Sequence, residues 1–300
     1  MKNTPAYLKK GDTIGVICPA GYMALDKIQN CLTTFQNWGY KVKLGNTLGG
    51  LSANYFSGTD EQRRIDLQKM LDDREIKAVF CARGGYGLGR IIDQIDFKGF
   101  KKHPKWIVGF SDVTILHSHI HARFGITTLH APMASAFNEG ENQYTESLRH
   151  CLEGRFNEYL AIPHDLNKKG KTQGVLVGGN LSLLTHLIGT ASDYNTKGKI
   201  LFLEDLGEYL YNLDRMMYQM KRSGKFQKLA GLIIGGFTDM KDTERPFGKS
   251  AYEIIYDLVR GADFPVCFGF PVSHNKENYA LKVGASYNLH VERAGVRLWE

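Results

Sequence analysis

Short apolar runs alternate with amphipathic stretches along the first half of the chain. Apolar and β-branched runs predict strands, whereas longer stretches with apolar residues every three or four positions predict helices. The predicted strands are Thr13–Cys18, Lys41–Leu44, Ala78–Cys81 and Trp106–Phe110, and the predicted helices are Ala24–Trp38, Glu61–Asp72, Gly87–Gln94 and Val113–Phe124. Strands that alternate with helices indicate βαβ units and therefore a parallel sheet.

The second half alternates less regularly. Its predicted strands are Val175–Val177, Ile200–Leu203 and Leu232–Gly235, its predicted helices are Leu181–Ile188, Tyr211–Ser223 and Ala251–Gly261, and a β-rich tail begins at Pro265. Between the halves, the polar stretch NKKGKTQG is typical of a linker or an exposed hairpin. The sequence therefore predicts an N-terminal α/β domain over residues 1–155, a linker over residues 156–173 and a C-terminal mixed α/β domain over residues 174–300.

Composition narrows the class of protein. The 300 residues are 43% hydrophobic, which is enough for two packed cores. The net charge is +7, but 38 basic and 31 acidic residues are interspersed, so we expect no nucleic-acid partner, whereas a diffuse positive field suits a small anionic substrate. No run of 18 apolar residues occurs, so we expect no membrane span.

Cysteine usage and the start of the chain predict a cytoplasmic protein. The five cysteines are widely spaced and form no C-x-x-C pair, which argues against a disulfide framework or a cysteine zinc site and favours a reducing compartment. The first residues lack the long apolar region of a signal peptide.

A serine follows the last predicted strand of the first half. The segment KWIVGFSDVT runs from an apolar strand through a polar turn into a helix. Ser111 then lies at a helix N-terminus, where unsatisfied N–H groups and the helix dipole stabilise negative charge on oxygen. The backbone N–H of Asp112 is a candidate oxyanion donor, although a helix cap also explains both residues. Val113 replaces the second glycine of the G-x-S-x-G elbow.

A glycine-rich loop, ARGGYGLGR, follows the strand that ends at Cys81. It could bind phosphate through its backbone, or form an ordinary tight turn. Alternatively, Gly85 could donate a second N–H to the oxyanion, with Arg83 close enough to pair with a substrate carboxylate. The phosphate alternative is the weakest because the spacing is G-x-G-x-G and no suitably placed acidic residue follows.

Acidic and imidazole groups follow two strands of the second half. Glu204, Asp205 and Glu208 come after the strand that ends at Leu203, and the loop GFPVSHN contains His274. Considered separately, both segments are explained by ordinary solvated loops.

Together these segments resemble the LD-carboxypeptidases, a family of serine peptidases that also includes microcin-immunity peptidases. The resemblance covers essentially the whole chain and rests on motifs in the family's order: GDTIGVICPAG, ARGGYG, GFSD, GGN-L, ILFLED and GFPVSH. It implies that Ser111 is the nucleophile, that His274 is the base and that Glu204 orients the base. Glu208 is a rival for the last role, but Glu204 directly follows the apolar strand and matches the acidic position of the family's L-E-D pattern. An imidazole that removes the serine proton, and a carboxylate that holds the imidazole, are what such a nucleophile requires.

The resemblance also implies the fold and the reaction. The expected architecture is an N-terminal parallel-sheet domain like that of class I glutamine amidotransferases, a swivelling-type C-terminal domain and a homodimer. The expected reaction, part of peptidoglycan recycling, hydrolyses the L,D-peptide bond that releases terminal D-alanine from murein tetrapeptide, without metal or cofactor. Substrate-binding candidates are Arg83, Gly84 and Asn180, and Arg83 is the candidate for the terminal carboxylate.

Four alternatives remain open from the sequence. His117, His119 and His121 suggest a metalloenzyme, because His117 and His121 share a helix face, but the glutamate of an H-E-x-x-H motif is missing. Cys18 and Cys81 at strand ends suggest a cysteine nucleophile. The third alternative is a non-catalytic protein that binds a muropeptide or a nucleotide, and the fourth is an immunity-type peptidase that cleaves peptidyl nucleotides.

Overall fold

The computed structural model describes residues 4–50 and 54–300, which divide into two compact units. The N-terminal unit comprises the chain up to Arg155 together with Tyr279–Val283, and the C-terminal unit comprises Phe156–Asn278 and Gly284–Glu300. The short return of the chain to the N-terminal unit at residues 279–283 differs from the expectation of one continuous C-terminal domain.

Strands and helices alternate through most of the chain. The strands are β1 (Thr13–Ile17), β2 (Lys41–Leu44), β3 (Ile76–Cys81), β4 (Trp106–Gly109), β5 (Thr128–His130), β6 (Glu158–Ala161), β7 (Gly170–Asn180), β8 (Lys199–Leu206), β9 (Gly231–Thr238), β10 (Val266–Phe268), β11 (Leu281–Val283), β12 (Ser286–Glu292) and β13 (Gly295–Trp299). The α-helices are α1 (Gln29–Asn37), α2 (Asp60–Asp72), α3 (Lys98–Lys102), α4 (Thr114–Phe124), α5 (Gln143–Glu153), α6 (Leu181–Leu187), α7 (Leu210–Arg222) and α8 (Ala251–Val259).

Side-chain caps fix where several helices begin. Thr59 accepts a hydrogen bond from the backbone N–H of Gln62 at the start of α2, and the Gln62 side chain bonds back to the Thr59 N–H. Ser250 and Glu253 form the same reciprocal arrangement at α8. Each such capping box satisfies backbone donors that a helix otherwise leaves without a partner.

The predicted helix Gly87–Gln94 consists instead of two 3-10 turns, Leu88–Arg90 and Ile92–Gln94. A buried carboxylate anchors the start of the first turn, because Oδ2 of Asp112 accepts the Leu88 N–H at 2.8 Å.

Within the described residues, the N-terminal unit forms a six-stranded sheet in the order β11-β5-β4-β3-β1-β2. Strands β1 to β5 are parallel, which confirms the predicted parallel sheet, and β11 pairs antiparallel with β5 at one edge. The core on this sheet includes Phe35, Phe80 and Phe137, whose rings meet edge to face. Because parallel strands end at the same edge, the loops after β1, β3 and β4 lie along one rim.

The C-terminal unit, all of whose residues are described, forms a seven-stranded mixed sheet in the order β10-β9-β8-β7-β12-β13-β6. Strands β7 to β10 are parallel, and β12, β13 and β6 add antiparallel strands to the other side. Residues 156–173, expected as a linker, include β6, which pairs with β13 and buries Tyr159. No helix among the described residues is long and apolar enough to cross a membrane.

Candidate active site

Ser111 lies at a strained turn between β4 and α4. Its φ is 62°, and among the described residues other than glycine only Lys228 and Asp239 share a positive φ. Ser111 begins a 3-10 turn, Ser111–Val113, that continues directly into α4. Left-handed backbone is unfavourable for a residue with a side chain, and such strain concentrates at functional sites. The turn therefore resembles a nucleophile elbow in geometry even though Val113 replaces the second glycine.

Two glycines make room for this turn. A Cβ added to Gly84 would lie 2.8 Å from Cβ of Ser111 and 3.1 Å from its Oγ. A Cβ added to Gly109 would lie 2.9 Å from Cγ2 of Val113, and the φ of Gly109 is 149°. The loop after β3 therefore lies so close to the serine that a residue with a side chain would not fit at Gly84 without a shift. Gly84 was expected near the substrate, whereas sequence reasoning missed Gly109, whose only signal is its position two residues before the serine.

The loop that contains Gly85 is held by neighbouring backbone. Gly85 has a φ of 99°, and the N–H of Gly21 donates to the Gly84 carbonyl at 2.9 Å. Arg83 is exposed, and its Nη1 donates to the Tyr22 carbonyl at 2.7 Å. The guanidinium has five N–H donors, so this bond leaves capacity for an anionic partner.

The Asp112 side chain connects the serine turn to the same loop. It is fully buried, and its Oδ2 accepts the Leu88 N–H. Burial raises the pKa of Asp112 to about 6, although the Leu88 hydrogen bond and the charge of Arg63 lower it in part. The buried Arg63 donates to the carbonyls of Pro19 and Gly87, which ties the loops after β1 and β3 together. Sequence reasoning considered the backbone N–H of Asp112 and missed these side-chain roles.

The histidines of α4 have structural surroundings. Nε2 of His117 lies 2.8 Å from the carbonyl of Gly109, and burial lowers the pKa of this imidazole to about 4. His119 stacks on Phe97 with ring centroids 5.1 Å apart. No group of three or more His, Cys, Asp or Glu residues in the described part of the chain could hold a metal ion.

Both candidate cysteine nucleophiles are buried free thiols. Burial raises the pKa of Cys18 to about 12 and raises that of Cys81 further above the ordinary thiol value. Because the thiolate is the nucleophilic form, these surroundings disfavour cysteine chemistry.

In the C-terminal unit, His274 contacts Glu204 directly. Nδ1 of His274 lies 2.6 Å from Oε2 of Glu204, which is completely buried near the carboxyl end of β8. Burial lowers the pKa of His274, but the hydrogen bond and the charge of Glu204 outweigh it and raise the pKa above its ordinary value. A carboxylate at Nδ1 selects the tautomer that presents Nε2 as a proton acceptor. The pair is therefore built to act as a general base.

The loop that carries His274 lies directly on β9. The N–H of Gly236 donates to the Val272 carbonyl at 2.9 Å, and a Cβ on Gly236 would lie within 2.4 Å of Cβ of Ser273. Ser273 in turn accepts from the N–H of Asn275 at 3.0 Å and donates to the Glu277 carbonyl at 2.9 Å. These contacts fix His274 from both sides. Sequence reasoning missed Gly236 and Ser273, whose only signals are a glycine pair in a strand and a serine beside the histidine.

Asp205 and Asn180 lie beside Glu204. Nδ2 of Asn180 donates to Oδ1 of Asp205 at 2.9 Å, and the N–H of Ser182 donates to its Oδ2 at 2.9 Å. Burial and the neighbouring charge of Glu204 raise the pKa of Asp205 to about 7. Asn180 also caps α6 by accepting the Leu183 N–H. Asn180 is thus buried, with contacts to Asp205 and to the start of α6, and its role in substrate binding stays a prediction.

The two candidate acids are distinguished by their contacts. Oε2 of Glu208 accepts a hydrogen bond from Nδ2 of Asn212 at 2.5 Å, whereas Glu204 contacts His274. The structure thus gathers Gly84, Ser111 and Asp112 in one unit and Asn180, Glu204, Asp205 and His274 in the other.

The chain is similar to known proteins over nearly its whole length. Residues 14–131 match the LD-carboxypeptidase N-terminal domain, and residues 173–289 match the LD-carboxypeptidase C-terminal domain. A probable murein peptide carboxypeptidase of Bacillus subtilis is 38% identical, with 94% of this chain and 89% of the relative covered. The microcin self-immunity protein MccF of Escherichia coli is 26% identical, with 98% and 95% covered. The crystal structure of a muramoyltetrapeptide carboxypeptidase from Oxalobacter formigenes superposes with a TM-score of 0.86 at 26% identity, with 95% and 97% covered.

Proposed function

Because the chain belongs to the LD-carboxypeptidase family and is an enzyme of the serine carboxypeptidase class, we propose that it releases terminal D-alanine from murein tetrapeptide. Membership confirms the resemblance inferred from the motifs. The observation that carries the proposal is the 2.6 Å contact between His274 and the buried Glu204, because a histidine prepared as a base requires such a partner. The names of the relatives support the choice of a muropeptide substrate.

In the proposed mechanism, Ser111 is the nucleophile. Nε2 of His274 takes the proton of the Ser111 hydroxyl while Oγ attacks the carbonyl carbon of the L,D-peptide bond. The backbone N–H groups of Asp112 and Gly85 stabilise the oxyanion that forms. His274 then protonates the amine of D-alanine, which leaves, and a water activated by the same histidine hydrolyses the acyl-enzyme. The Glu204 carboxylate stabilises the imidazolium in both halves of the cycle.

Arg83 is the proposed partner of the substrate's terminal carboxylate. An exopeptidase must recognise that free carboxylate, and an exposed guanidinium on the loop that contacts Ser111 suits the task. This assignment explains why the enzyme would remove only a terminal residue.

The finer architecture belongs to the same proposal. We assign the N-terminal unit to the class I glutamine amidotransferase type and the C-terminal unit to the swivelling type, within domains 1–155 and 174–300. A homodimer and a cytoplasmic location stay predictions from the sequence and its resemblance.

Cleavage of a peptidyl nucleotide is the second candidate, favoured by the 26% identity to the self-immunity protein. We rank it below the muropeptide reaction because the relative with 38% identity is named for a murein peptide. Comparing kcat/KM for a tetrapeptide and an aminoacyl sulfamoyl nucleoside separates the two.

The test is to incubate the purified protein with L-Ala-γ-D-Glu-diaminopimelyl-D-Ala and to detect D-alanine by mass spectrometry. We expect stoichiometric release by the wild type and a loss of about 10⁶-fold in kcat for Ser111→Ala. Ser135→Ala, which removes an exposed hydroxyl from the same unit, is the matched control and should retain full activity. Release of D-alanine by Ser111→Ala at the wild-type rate would rule out the proposed nucleophile.

A further inference from the structure

A cavity lies in the N-terminal unit at the amino ends of its parallel strands. It has a volume of about 580 Å³ and is lined by residues just before β1, at the start of β3 and just before β4. Ser111 follows the carboxyl end of β4, so the cavity and the candidate nucleophile lie at opposite ends of the same strand. The cavity is therefore separate from Ser111 within this unit.

The charges around this cavity are strongly unbalanced. Among the described residues that line it, six are lysine or arginine and two are aspartate: Lys9, Arg74, Lys77, Lys98, Lys102 and Lys105 against Asp12 and Asp72. Both aspartates already accept hydrogen bonds, Asp12 from the Lys9 N–H at 2.7 Å and Asp72 from Nε2 of Gln68 at 2.9 Å. Much of the +7 charge of the chain is thus concentrated around one cavity.

Most of these cations have no carboxylate partner. Within the described part of the chain, no ion pair includes Lys9, Arg74, Lys77 or Lys102. Elsewhere in the same unit, by contrast, Arg64 and Arg90 pair with Glu61 and Asp60. Lysine and arginine side chains that outnumber the carboxylates around a concave surface focus a positive potential into it.

A buried ammonium adds to this potential. Lys105 is only 4% exposed, and its Nζ donates to the carbonyls of Met70 at 3.0 Å and Asp73 at 2.5 Å. An ammonium has three donors, so one remains after these two bonds. Burial lowers the pKa of Lys105 to about 8, because neutral carbonyls compensate only part of the lost hydration. An anion in the cavity would stabilise this charge.

We propose that this cavity binds a small molecule with a compact group of anionic oxygens, of the phosphate-ester class. A volume of several hundred Å³ suits a small ligand. Lysine ammonium groups act as point charges that bind phosphate oxygens without fixed geometry, which matches a site built mainly from lysines. Polycarboxylates share the same chemistry, and the experiment separates the two sources.

The experiment is isothermal titration calorimetry of the full chain with inorganic pyrophosphate and, separately, with citrate. We expect the wild type to bind pyrophosphate, and Lys102→Glu and Lys77→Glu each to bind it about tenfold more weakly, since each reversal replaces attraction by repulsion at close range. Lys169→Glu is the matched control, because it changes the net charge equally at an exposed position of the C-terminal unit. Unfolding temperatures verify that every variant is folded.

The outcomes either support or overturn the site. Tighter binding of pyrophosphate than of citrate supports the phosphate class, and the reverse overturns it in favour of a polycarboxylate. Failure of the wild type to bind either anion, or an equal loss in Lys169→Glu, overturns the site altogether. The proposal is independent of the peptidase reaction, since no step of the test uses turnover.

Discussion

The candidate residues of the two units are prepared for their proposed roles by different means. In the N-terminal unit the backbone prepares the site: Ser111 has a left-handed φ, and Gly84 approaches it without a side chain. In the C-terminal unit a side-chain contact prepares the base: Glu204 is completely buried, and its Oε2 lies 2.6 Å from Nδ1 of His274. A nucleophile requires geometry and a base requires a tuned pKa, so each unit supplies what its group needs. Each variant proposed here changes the candidate residues of one unit and leaves those of the other unit intact.

Among the variants compared below, the largest loss of kcat should come from removing the carboxylate of Glu204 in the C-terminal unit. Glu204→Gln keeps the shape of the side chain but no longer stabilises the imidazolium or selects its tautomer. We expect kcat to fall about 10⁴-fold, with the unfolding transition retained. A loss below tenfold would show that Glu204 does not orient the base.

The same variant should move the pH dependence. His274 must be neutral to accept a proton, and its pKa in the wild type is above the ordinary 6.5, so kcat/KM should rise with pH through that higher value. Without Glu204 the burial of the imidazole dominates, and the rise should move to lower pH. Stability should change in the opposite direction, because the contribution of this ion pair is complete below pH 6.5 and is lost as the pH rises through the folded-state pKa. NMR titration of His274 measures its pKa in the wild type and in Glu204→Gln.

A smaller loss of kcat should come from disturbing the close approach of Gly84 to Ser111 in the N-terminal unit. In Gly84→Ala the new methyl group would lie 2.8 Å from Cβ of Ser111 and 3.2 Å from the Phe110 carbonyl, so the serine turn must shift. We expect kcat to fall about 10²-fold, as a displacement near 1 Å commonly does. Gly261→Ala, which meets nothing within 4 Å, is the matched control. Equal activity of both variants would contradict the role given to this close approach.

Arg83→Ala should change binding more than chemistry. Loss of the guanidinium removes a charge-assisted contact to the terminal carboxylate, so KM should rise about tenfold while kcat changes little. Arg123→Ala, which alters an exposed arginine on α4 of the same unit, should leave both constants unchanged. An unchanged KM in Arg83→Ala would remove Arg83 from the substrate site.

The smallest effect should come from the rival acid. Glu208 accepts a hydrogen bond from Asn212, and a glutamine can accept the same bond, so Glu208→Gln should change kcat by less than about twofold. A steady-state assay beside Glu204→Gln gives the comparison directly. A loss in Glu208→Gln as large as that in Glu204→Gln would reverse the assignment.

The sequence predicts the parallel sheet because its strands and helices have distinct periodicities. Strand β2, for example, has the predicted bounds Lys41–Leu44. The sequence does not predict that β11 pairs with β5. Strand β11 has only three residues, all buried, and so short an apolar run does not indicate which distant strand it pairs with. The helix predicted over Gly87–Gln94 was wrong, since the segment forms two 3-10 turns, and its contact with the buried Asp112 carboxylate is a tertiary contact that local periodicity does not encode.

The family motifs predict the candidate site residues, whereas the properties of the individual segments do not. Glu204 and Glu208 lie four residues apart in equally acidic surroundings, and only the fold shows that Glu204 contacts His274. The left-handed φ of Ser111 and the close approach of Gly84 depend on three-dimensional packing that spacing does not encode. The expected role of Asn180 in substrate binding stays a prediction, and its contacts with Asp205 and the N-terminus of α6 are visible only in the fold.

Covalent labelling of the nucleophile tests the central claim most directly. The wild-type protein is treated with a fluorophosphonate, digested, and analysed by peptide mass spectrometry, with and without excess tetrapeptide. The account predicts one adduct, on the Oγ of Ser111, which tetrapeptide suppresses and which His274→Ala greatly slows. An enzyme that releases D-alanine while its adduct forms on another residue would contradict the account.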